Sequence, residues 1–555
     1  MKTRRATTMS SILAAAALLA AGCTGTGAAG TTTSGTGPSS PTEQQAAPAA
    51  VVAAPSAATL VAPGRTPAQI TTAVSRSLFT SAPAVVVASS TDPDALSRGS
   101  EQAERLGVPL LLTDGTAATT AAAPSGPTPT GSAAGPTPTG SAAGSTPTGT
   151  AAGSSPAAAD PVATEVARLK PTTVLALGPG VADLLAPTGI KVVTDPATMP
   201  PLALPEPLSD TAVLISAAPG LPAKATALAV TTTAKAAGAR AVPVVGGDPR
   251  TDSRAIEDLS TAKPAHVVAA GTAFGATATL AARIAVATTG VQLPGGGQVV
   301  LPGRRLVAMY GYPGSAGLGV LGEQPLPQAI ARAKRLAAPY VPLSGDTPVV
   351  PTFELIATVA QANPGVGGDY SYEAPVSLLK PWVDAAGKAG MYVVLDLQPG
   401  RANLLDQAKI YEPLLKNPHV GLALDPEWRI TDSQLPLQQI GSAKAAEINS
   451  VYRWLADLTA KNTLPQKLFV IHEFRLSMIG DDEPLQHDRD QVQLLIHMDG
   501  QGPTNTKDST WAAVVGAAPK GVPFGWKNFY DEDTPMLTPA QTMIRKPTPS
   551  MISYQ

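Results

Sequence analysis

Carboxylic acids stand at the ends of several apolar runs in the C-terminal half of this 555-residue chain. Asp425 and Glu427 close one run, and Asp499 closes another. Because a buried carboxylate is costly unless it is paired, acids that converge on one rim are hard to explain by packing alone. Paired carboxyl groups are what glycoside hydrolysis requires, since one protonates the leaving oxygen and the other stabilises or activates the attacking group. We therefore predict a glycan cleft in which Glu427, Asp425 and Asp499 are the catalytic candidates.

Further polar and aromatic residues accompany these acids. Polar side chains could hold a substrate, and aromatic rings could stack on the faces of sugars. The candidate substrate-binding residues are Glu354, Asp396, His497, Trp428, Trp526, Tyr310 and Asp531. The competing interpretation is that the acids are rim charges solvated by water or structural ion pairs, and that the rings belong to the hydrophobic core.

Other chemistries lack their residue patterns. The chain has no His-x-Glu-x-x-His spacing for zinc and no Gly-x-Ser-x-Gly turn for a nucleophilic serine. Residues 310–317 are rich in glycine, but no Lys-Ser or Lys-Thr follows them to bind phosphate. A net charge of −2 argues against an electrostatic nucleic-acid partner, and a single cysteine excludes a disulfide scaffold. We expect neither a metal nor a cofactor.

The elements that must position the acids are eight apolar runs that alternate with helical stretches between residues 304 and 555. This order indicates a (β/α)8 TIM barrel, whose chemistry lies at the C-terminal ends of its strands. The predicted strands are 306–312, 349–355, 391–398, 420–428, 467–474, 492–499, 522–530 and 550–554. Because strand residues alternate between two faces, the acids and His497 should point inward. His472 and Glu473 lie on opposite faces of their strand, and the sequence does not choose between them.

The run at residues 420–427 reads Val-Gly-Leu-Ala-Leu-Asp-Pro-Glu. Its glycine and its final Asp-x-Glu resemble the strand-four motif of the chitinase-like glycoside hydrolases, Asp-Gly-x-Asp-x-Asp-x-Glu. The resemblance implies that Glu427 is the acid and that Asp425 orients the substrate. The first two aspartates of the motif are replaced by Val420 and Ala423. Barrel hydrolases of other kinds would pair Glu427 with an acid from strand six or seven, such as Asp499 or Asp531.

The first half of the chain repeats a strand–helix–strand–helix–strand unit. The first copy runs from a strand at 84–88 to one at 173–178, and the second from a strand at 212–216 to one at 267–271. Two such copies predict a parallel sheet covered by helices, which makes residues 59–275 an α/β repeat domain.

The first copy carries a second resemblance. It reads Leu-Phe-Thr-Ser-Ala at 78–82, Asp-Pro-Asp-Ala-Leu at 92–96 and Leu-Gly-Val-Pro-Leu-Leu-Leu-Thr at 106–113. These segments are similar to the cell-wall-binding repeat type 2 family, which implies non-covalent attachment to envelope polysaccharides. The second copy lacks the Asp-Pro-Asp-Ala-Leu segment, and two copies are seen where the family usually carries three.

The N-terminus is typical of a bacterial lipoprotein signal. Three basic residues among the first five precede an apolar stretch that ends in small residues and Cys23, the sole cysteine. We expect residues 1–22 to be removed and Cys23 to carry a lipid such as palmitate, which would anchor the chain to the outside of the cell membrane. Composition further predicts a disordered tether at 23–58, a disordered insert at 115–158 and a linker at 276–303.

Together these features predict a cell-surface lipoprotein with an envelope-binding domain and a barrel, residues 304–555, that hydrolyses a polysaccharide or cell-wall glycan. The alternative is a surface lipoprotein that binds glycans or organises the cell wall without catalysis. Convergence of Glu427, Asp425, Asp499 and His497 on one pocket, with a raised pKa at the acid, would favour the enzyme. Dispersal of these residues would favour the binding protein.

Overall fold

A computed structural model describes residues 47–114, 160–216 and 221–555. Cys23, the predicted signal, the first part of the predicted tether and the predicted insert lie outside the described residues. Within the described ranges, no helix combines the length and the apolar character that a membrane span needs.

The described N-terminal part alternates strands and helices. Its strands are β1 Val51–Val52, β2 Thr59–Ala62, β3 Phe79–Ser81, β4 Ala84–Ser89, β5 Leu110–Thr113, β6 Thr173–Leu177, β7 Lys191–Val193, β8 Thr211–Ser216, β9 Arg240–Val244 and β10 His266–Ala270. Its helices are α1 Pro67–Leu78, α2 Pro93–Leu106, α3 Pro161–Leu169, α4 Val181–Leu185, α5 Leu221–Ala236, α6 Ser253–Ala262 and α7 Thr277–Ala287. The predicted helices and strands of both copies are therefore present.

Local sequence explains the helix ends. The side chain of Asp92 caps α2 by accepting hydrogen bonds from the backbone N–H groups of Asp94 and Ala95, both at 3.0 Å. Gly107 ends the same helix with a φ of 64°, a left-handed conformation that glycine adopts without steric cost. Asp160 caps α3 in the same way as Asp92. Asp92 and Asp160 therefore have a structural role as helix caps.

The two copies form two parallel sheets, so the prediction of one sheet is wrong. The first sheet has the order β5-β4-β6-β7, and the second has the order β9-β8-β10-β2. In both sheets the first strand of the copy lies in the middle, with the second strand on one side of it and the third strand on the other. The fourth strand of the first sheet follows its copy in the chain, whereas β2 precedes both copies and pairs with β10. Each copy supplies three strands of its own sheet, and α5 packs against α1 and α2 beside them.

The predicted tether is wrong over its last residues. Val51–Val52 pairs antiparallel with β3, and Ala50 is buried. Two adjacent β-branched residues fit a strand, because their side chains pack well on a pleated surface. Ordered structure therefore begins before residue 59.

The predicted linker at 276–303 is also wrong, because most of it is packed. Its first part is α7, whose Leu280, Ile284 and Ala287 lie on one face and are buried with residues of α6. That spacing of four and three residues is the repeat of an amphipathic helix. Its last part packs beneath the barrel, as described below.

The C-terminal part is a closed barrel of eight parallel strands. They are β11 Arg305–Gly311, β12 Val349–Ala360, β14 Tyr392–Leu397, β15 Val420–Leu424, β16 Lys467–His472, β17 Val492–Met498, β18 Phe524–Asn528 and β19 Met551–Tyr554, and β13 Ser371–Glu373 extends the end of β12 antiparallel. The pairing order is β11-β19-β18-β17-β16-β15-β14-β12, and β12 pairs with β11 to close the circle. The helices of this part are α8 Leu326–Ala337, α9 Val376–Lys388, α10 Leu404–Ile410, α11 Glu412–Leu415, α12 Ala445–Lys461, α13 Thr504–Ala517 and α14 Pro539–Met543.

The N-terminal end of the barrel is filled with apolar side chains. Inward-facing residues of the strands form one buried cluster with three residues that precede β11, namely Leu293, Val300 and Leu301. We call residues 293–301 the floor plug. Arg304, 2% exposed, holds the plug in shape by donating to the backbone carbonyls of Val299 at 2.9 Å and Val300 at 3.0 Å. The joint between the two parts of the chain is therefore a component of the barrel core.

An ion-pair cluster joins the α/β part to the same end of the barrel. Asp490, which precedes β17, lies 2.8 Å from Arg250 and 2.8 Å from Arg283. Both arginines also contact Asp248, at 2.7 and 3.3 Å. The α/β part thus meets the barrel at the floor, opposite the C-terminal ends of the strands.

Candidate functional site

The inward face of the barrel changes from apolar to polar along the strands. At the C-terminal ends the buried inner residues are Tyr310, Glu354, Asp396, Asp425, His472, His497, Asp499, Lys527 and Ser553. Contacts between non-adjacent strands show that these side chains meet inside. The Tyr310 hydroxyl on β11 donates to Asp396 Oδ2 on β14 at 2.9 Å, and His497 on β17 contacts the Ser553 hydroxyl on β19 at 2.8 Å. Strand alternation therefore brings together the residues that it was expected to bring together.

His472 is the centre of this group. Its Nε2 lies 3.1 Å from Glu354 Oε1 and 3.7 Å from Asp396 Oδ1. Its Nδ1 lies 3.0 Å from Asp499 Oδ2, and its ring stacks on that of His497 with centroids 5.1 Å apart. Because β14 and β15 separate β16 from β12, the contact with Glu354 spans the interior.

Tyr310 links the other side of the group. Besides donating to Asp396, its hydroxyl accepts a hydrogen bond from Gln398 Nε2 at 3.1 Å. The Lys527 ammonium lies 3.6 Å from the centre of the Tyr310 ring, within the range of a cation–π contact. Tyr310 is thus held on three sides by polar or charged neighbours.

A cavity of about 750 Å³ opens above these residues. Its wall includes three acids, Glu427, Asp499 and Glu532, together with Trp428, Lys527, Tyr310 and Gln398. Its volume lies within the usual range for ligand sites in proteins. The cavity therefore places two of the three predicted catalytic acids on one surface.

Two acids on the cavity wall, Glu427 and Asp499, have different charge states. Burial, together with the charge of Asp499, raises the pKa of Glu427 to about 7. Burial alone would also raise the pKa of Asp499, but the charge and hydrogen bonding of His472 outweigh it and lower that pKa below 3.8. At neutral pH one wall acid holds a proton for part of the time while the other is ionised.

The acids below the wall divide in the same way. Burial, followed by the charge of Glu427, raises the pKa of Asp425 well above its usual value. Burial raises the pKa of Asp396 to about 6. Burial would raise the pKa of Glu354 too, but its hydrogen bond with His472 lowers it. The acids in contact with His472 nitrogens at 3.0 and 3.1 Å are therefore the ones that stay ionised.

Several polar atoms at the site are buried without a hydrogen-bond partner among the described residues. On the cavity wall these are Asp499 Oδ1 and Trp428 Nε1, and below it they are Glu354 Oε2, Asp396 Oδ1 and Asp425 Oδ1. Unpaired buried polar atoms are rare in proteins. One acceptor and one donor of the wall residues therefore have no protein partner.

Two predicted site residues lie elsewhere. The Trp526 ring points away from the barrel interior, is fully buried, and packs 5.5 Å from the ring of Trp511. Trp526 lies on the same face of β18 as Phe524, whereas Gly525 and Lys527 face the barrel interior. Asp531 is exposed in the loop after β18. Neither residue belongs to the group around His472.

Two residues of the site were not predicted from the sequence. His472 was left undecided because both faces of its strand are apolar, with Leu468 and Val470 on one face and Phe469 and Ile471 on the other. Lys527 lies in the predicted strand at 522–530 and was not among the candidate residues. Lys527 lies on the same strand face as Gly525 and on the face opposite to the bulky Phe524 and Trp526. This alternation was the signal that could have placed it inside the barrel.

In the described part of the chain, no group of three or more His, Cys, Asp or Glu side chains is arranged to hold a metal ion. His472 and its neighbouring acids instead contact one another directly.

Comparisons with known proteins add no further assignment. No protein-family model matches the chain, and no curated protein matches it. The two resemblances therefore rest on the residues quoted for them, and the case for a function rests on the barrel interior.

Proposed function

We propose that this chain is a glycoside hydrolase of the cell surface, with its active site in the cavity of a TIM barrel. The observation that carries the proposal is the pair of acids on one cavity wall. Glu427 has a pKa raised to about 7, and Asp499 has a pKa lowered below its usual value. Pairs of carboxyl groups whose pKa values are driven apart are the mark of an acid and its ionised partner.

The roles follow from the charge states. Glu427, protonated, donates its proton to the leaving glycosidic oxygen. Asp499, ionised, faces the same cavity and stabilises the positive charge that develops on the sugar, or activates the attacking group. Asp425 is 2% exposed and lies below the cavity wall, and burial with the charge of Glu427 raises its pKa, so the orienting role implied by the chitinase-like motif is the less direct one.

The rest of the wall suits a carbohydrate. Trp428 offers an apolar ring edge and an unpartnered Nε1 donor, and Tyr310, Gln398 and Lys527 offer polar groups at known positions. Sugars combine apolar ring faces with hydroxyl groups, and sites that bind them pair aromatic rings with a few directed polar groups.

The N-terminal part supports the location that we propose. Its two sheets share one strand order, in keeping with a duplicated unit of the cell-wall-binding repeat type 2 kind. We propose that this part binds envelope polysaccharide, and that a lipid on Cys23 holds the chain to the outer face of the cell membrane.

The decisive experiment compares wild-type protein with Glu427→Gln on a panel of oligosaccharides and cell-wall glycans. The substitution keeps the size of the side chain and removes its proton, so turnover should fall by at least about 100-fold while the fold and glycan binding remain. Glu257→Gln, on the exposed face of α6, is the matched control and should keep full activity.

Two outcomes would contradict the proposal. Full activity of Glu427→Gln on a substrate that the wild type cleaves would remove Glu427 as the acid. Glycan binding by the wild type without any cleavage would favour the non-catalytic surface protein instead.

A further inference from the structure

The surroundings of His472 are almost entirely charged or titratable. From β12 and β14 it faces Glu354 and Asp396, from the end of β15 Asp425 and Glu427, from β17 His497 and Asp499, and from β11 Tyr310. Lys527 on β18 acts on the same acids. The imidazole is 0% exposed, so water does not screen these neighbours. The protonation state of this one ring therefore affects every acid in the site.

The geometry of the ring constrains that state. Both nitrogens lie close to carboxylate oxygens, Nδ1 at 3.0 Å from Asp499 and Nε2 at 3.1 Å from Glu354. A neutral imidazole has one N–H and one lone pair, so one of these contacts would place a lone pair against an anionic oxygen. The imidazolium cation instead donates from Nε2 to Glu354 and attracts Asp499 by its charge, since Nδ1 lies at ion-pair distance from Asp499 without the alignment of a hydrogen bond.

We propose that His472 is a positioning residue: a buried imidazolium cation that keeps Asp499 ionised and turned toward the cavity while Glu427 holds its proton. This inference rests on the proposed function for its catalytic meaning. His472 is absent from the cavity wall, so it acts through Asp499 rather than on a substrate.

Electrostatics agrees with the geometry. Burial would lower the pKa of His472, but Asp499 and Glu354 together raise it well above 6.5. The stacked ring of His497 behaves in the opposite way, since burial lowers its pKa to about 3. Two adjacent histidines thus differ in charge, because one contacts two carboxylates and the other contacts a hydroxyl.

The first test needs no substrate and no glycan. The full-length chain, labelled with ¹⁵N in its five histidines, is titrated by NMR from pH 5 to pH 9. His472 should keep two protonated ring nitrogens to well above pH 6.5, and His497 should stay neutral throughout. The His472 signal is identified by its shift in Glu354→Gln. A neutral His472 ring at pH 7 would overturn the proposal.

The second test reads the same property through catalysis. An opposite charge at this distance lowers a carboxyl pKa by about one unit or more, so His472→Gln should move the acid limb of kcat/KM up by at least about one pH unit. That shift is at least about a tenfold loss of activity at low pH. His487→Gln, an exposed histidine in the loop before β17, is the matched control and should leave the profile unchanged.

The two tests separate the two proposals. A wild type that cleaves no glycan would defeat the proposed function, while the NMR titration would still decide the charge of His472. An active His472→Gln with an unshifted acid limb would defeat the positioning role alone. If His472→Gln does not fold, the NMR titration of the unsubstituted chain decides.

Discussion

The two ends of the barrel are formed by the same strands but differ in the residues that face inward. At the floor, the inward residues are apolar, and the floor plug closes the interior with Leu293, Val300 and Leu301. At the C-terminal end, the same inward positions carry acids, histidines and a lysine around a cavity of about 750 Å³. One end gains stability from burial, and the other keeps charged groups where burial is costly.

The difference shows how a barrel separates folding from chemistry. Apolar burial at the floor contributes regardless of the order of the charges above it. The acids at the other end have pKa values displaced by burial and by one another, which is useful for catalysis and unfavourable for folding. Substitutions at the floor should therefore change stability, and substitutions at the cavity should change activity.

The largest expected effect tests the floor. Leu301→Ala removes a side chain that is 3% exposed and leaves a space that the rigid strands cannot fill. We expect it to lower the free energy of unfolding by about 2–5 kcal/mol, measured by denaturant titration, with activity per folded molecule unchanged. Leu204→Ala, at a site 66% exposed, is the control and should change stability by less than about 0.5 kcal/mol. Loss of activity in folded Leu301→Ala would break the separation of the two ends.

The next effect tests the cavity through pH. The acid must be protonated to act, so raising the pH through the Glu427 pKa of about 7 should lower kcat/KM by about tenfold for each further pH unit. Asp499 acts ionised, and its pKa is lowered, so activity should stay level through the acid range until the pH comes within about one unit of the Glu427 pKa. Circular dichroism across the range checks that folding is constant. A basic limb near pH 4.5, the usual pKa of glutamate, would contradict the proposed acid.

The smallest effect compares two tryptophans. Trp428→Phe removes the free Nε1 donor from the cavity wall, so KM should rise about fivefold, the equivalent of about 1 kcal/mol, with stability unchanged. Trp526→Phe removes the hydrogen bond from Nε1 to Asn528 Oδ1, 2.8 Å long, on the other face of β18. It should cost about 1 kcal/mol of stability and leave KM unchanged. The reverse pattern would show that the cavity is not the substrate site.

The barrel could be predicted well from its sequence because its strands are apolar on both faces until they end. The structure has a strand at each of the eight predicted runs, although β11 begins before its run and β12 ends after it, and alternation correctly turned Asp396, Asp425 and His497 inward. Alternation failed for His472, since Lys467 at the start of β16 is buried too and both faces look alike. Trp526 was assigned to the site by residue type alone, against the parity of its strand.

The arrangement of the N-terminal part depended on contacts between residues far apart in the chain. The repeated units were visible, but nothing local in Thr59–Ala62 indicates that β2 pairs with β10, more than 200 residues later. The glycines and prolines around residue 295 have the composition of a loop. That they fold into the floor plug depends on the guanidinium of Arg304, which gathers their carbonyl groups.

The floor plug also decides where the chain can be recombined. Residues 293–301 precede β11, so a join placed at residue 303 would leave the barrel without Leu293, Val300 and Leu301. A barrel module that is transferred intact between proteins must therefore include the floor plug. The boundary of the module then lies between α7, which ends at Ala287, and Leu293. The eight strands must be transferred together with the floor plug that precedes them, so the transferable module is larger than the barrel itself.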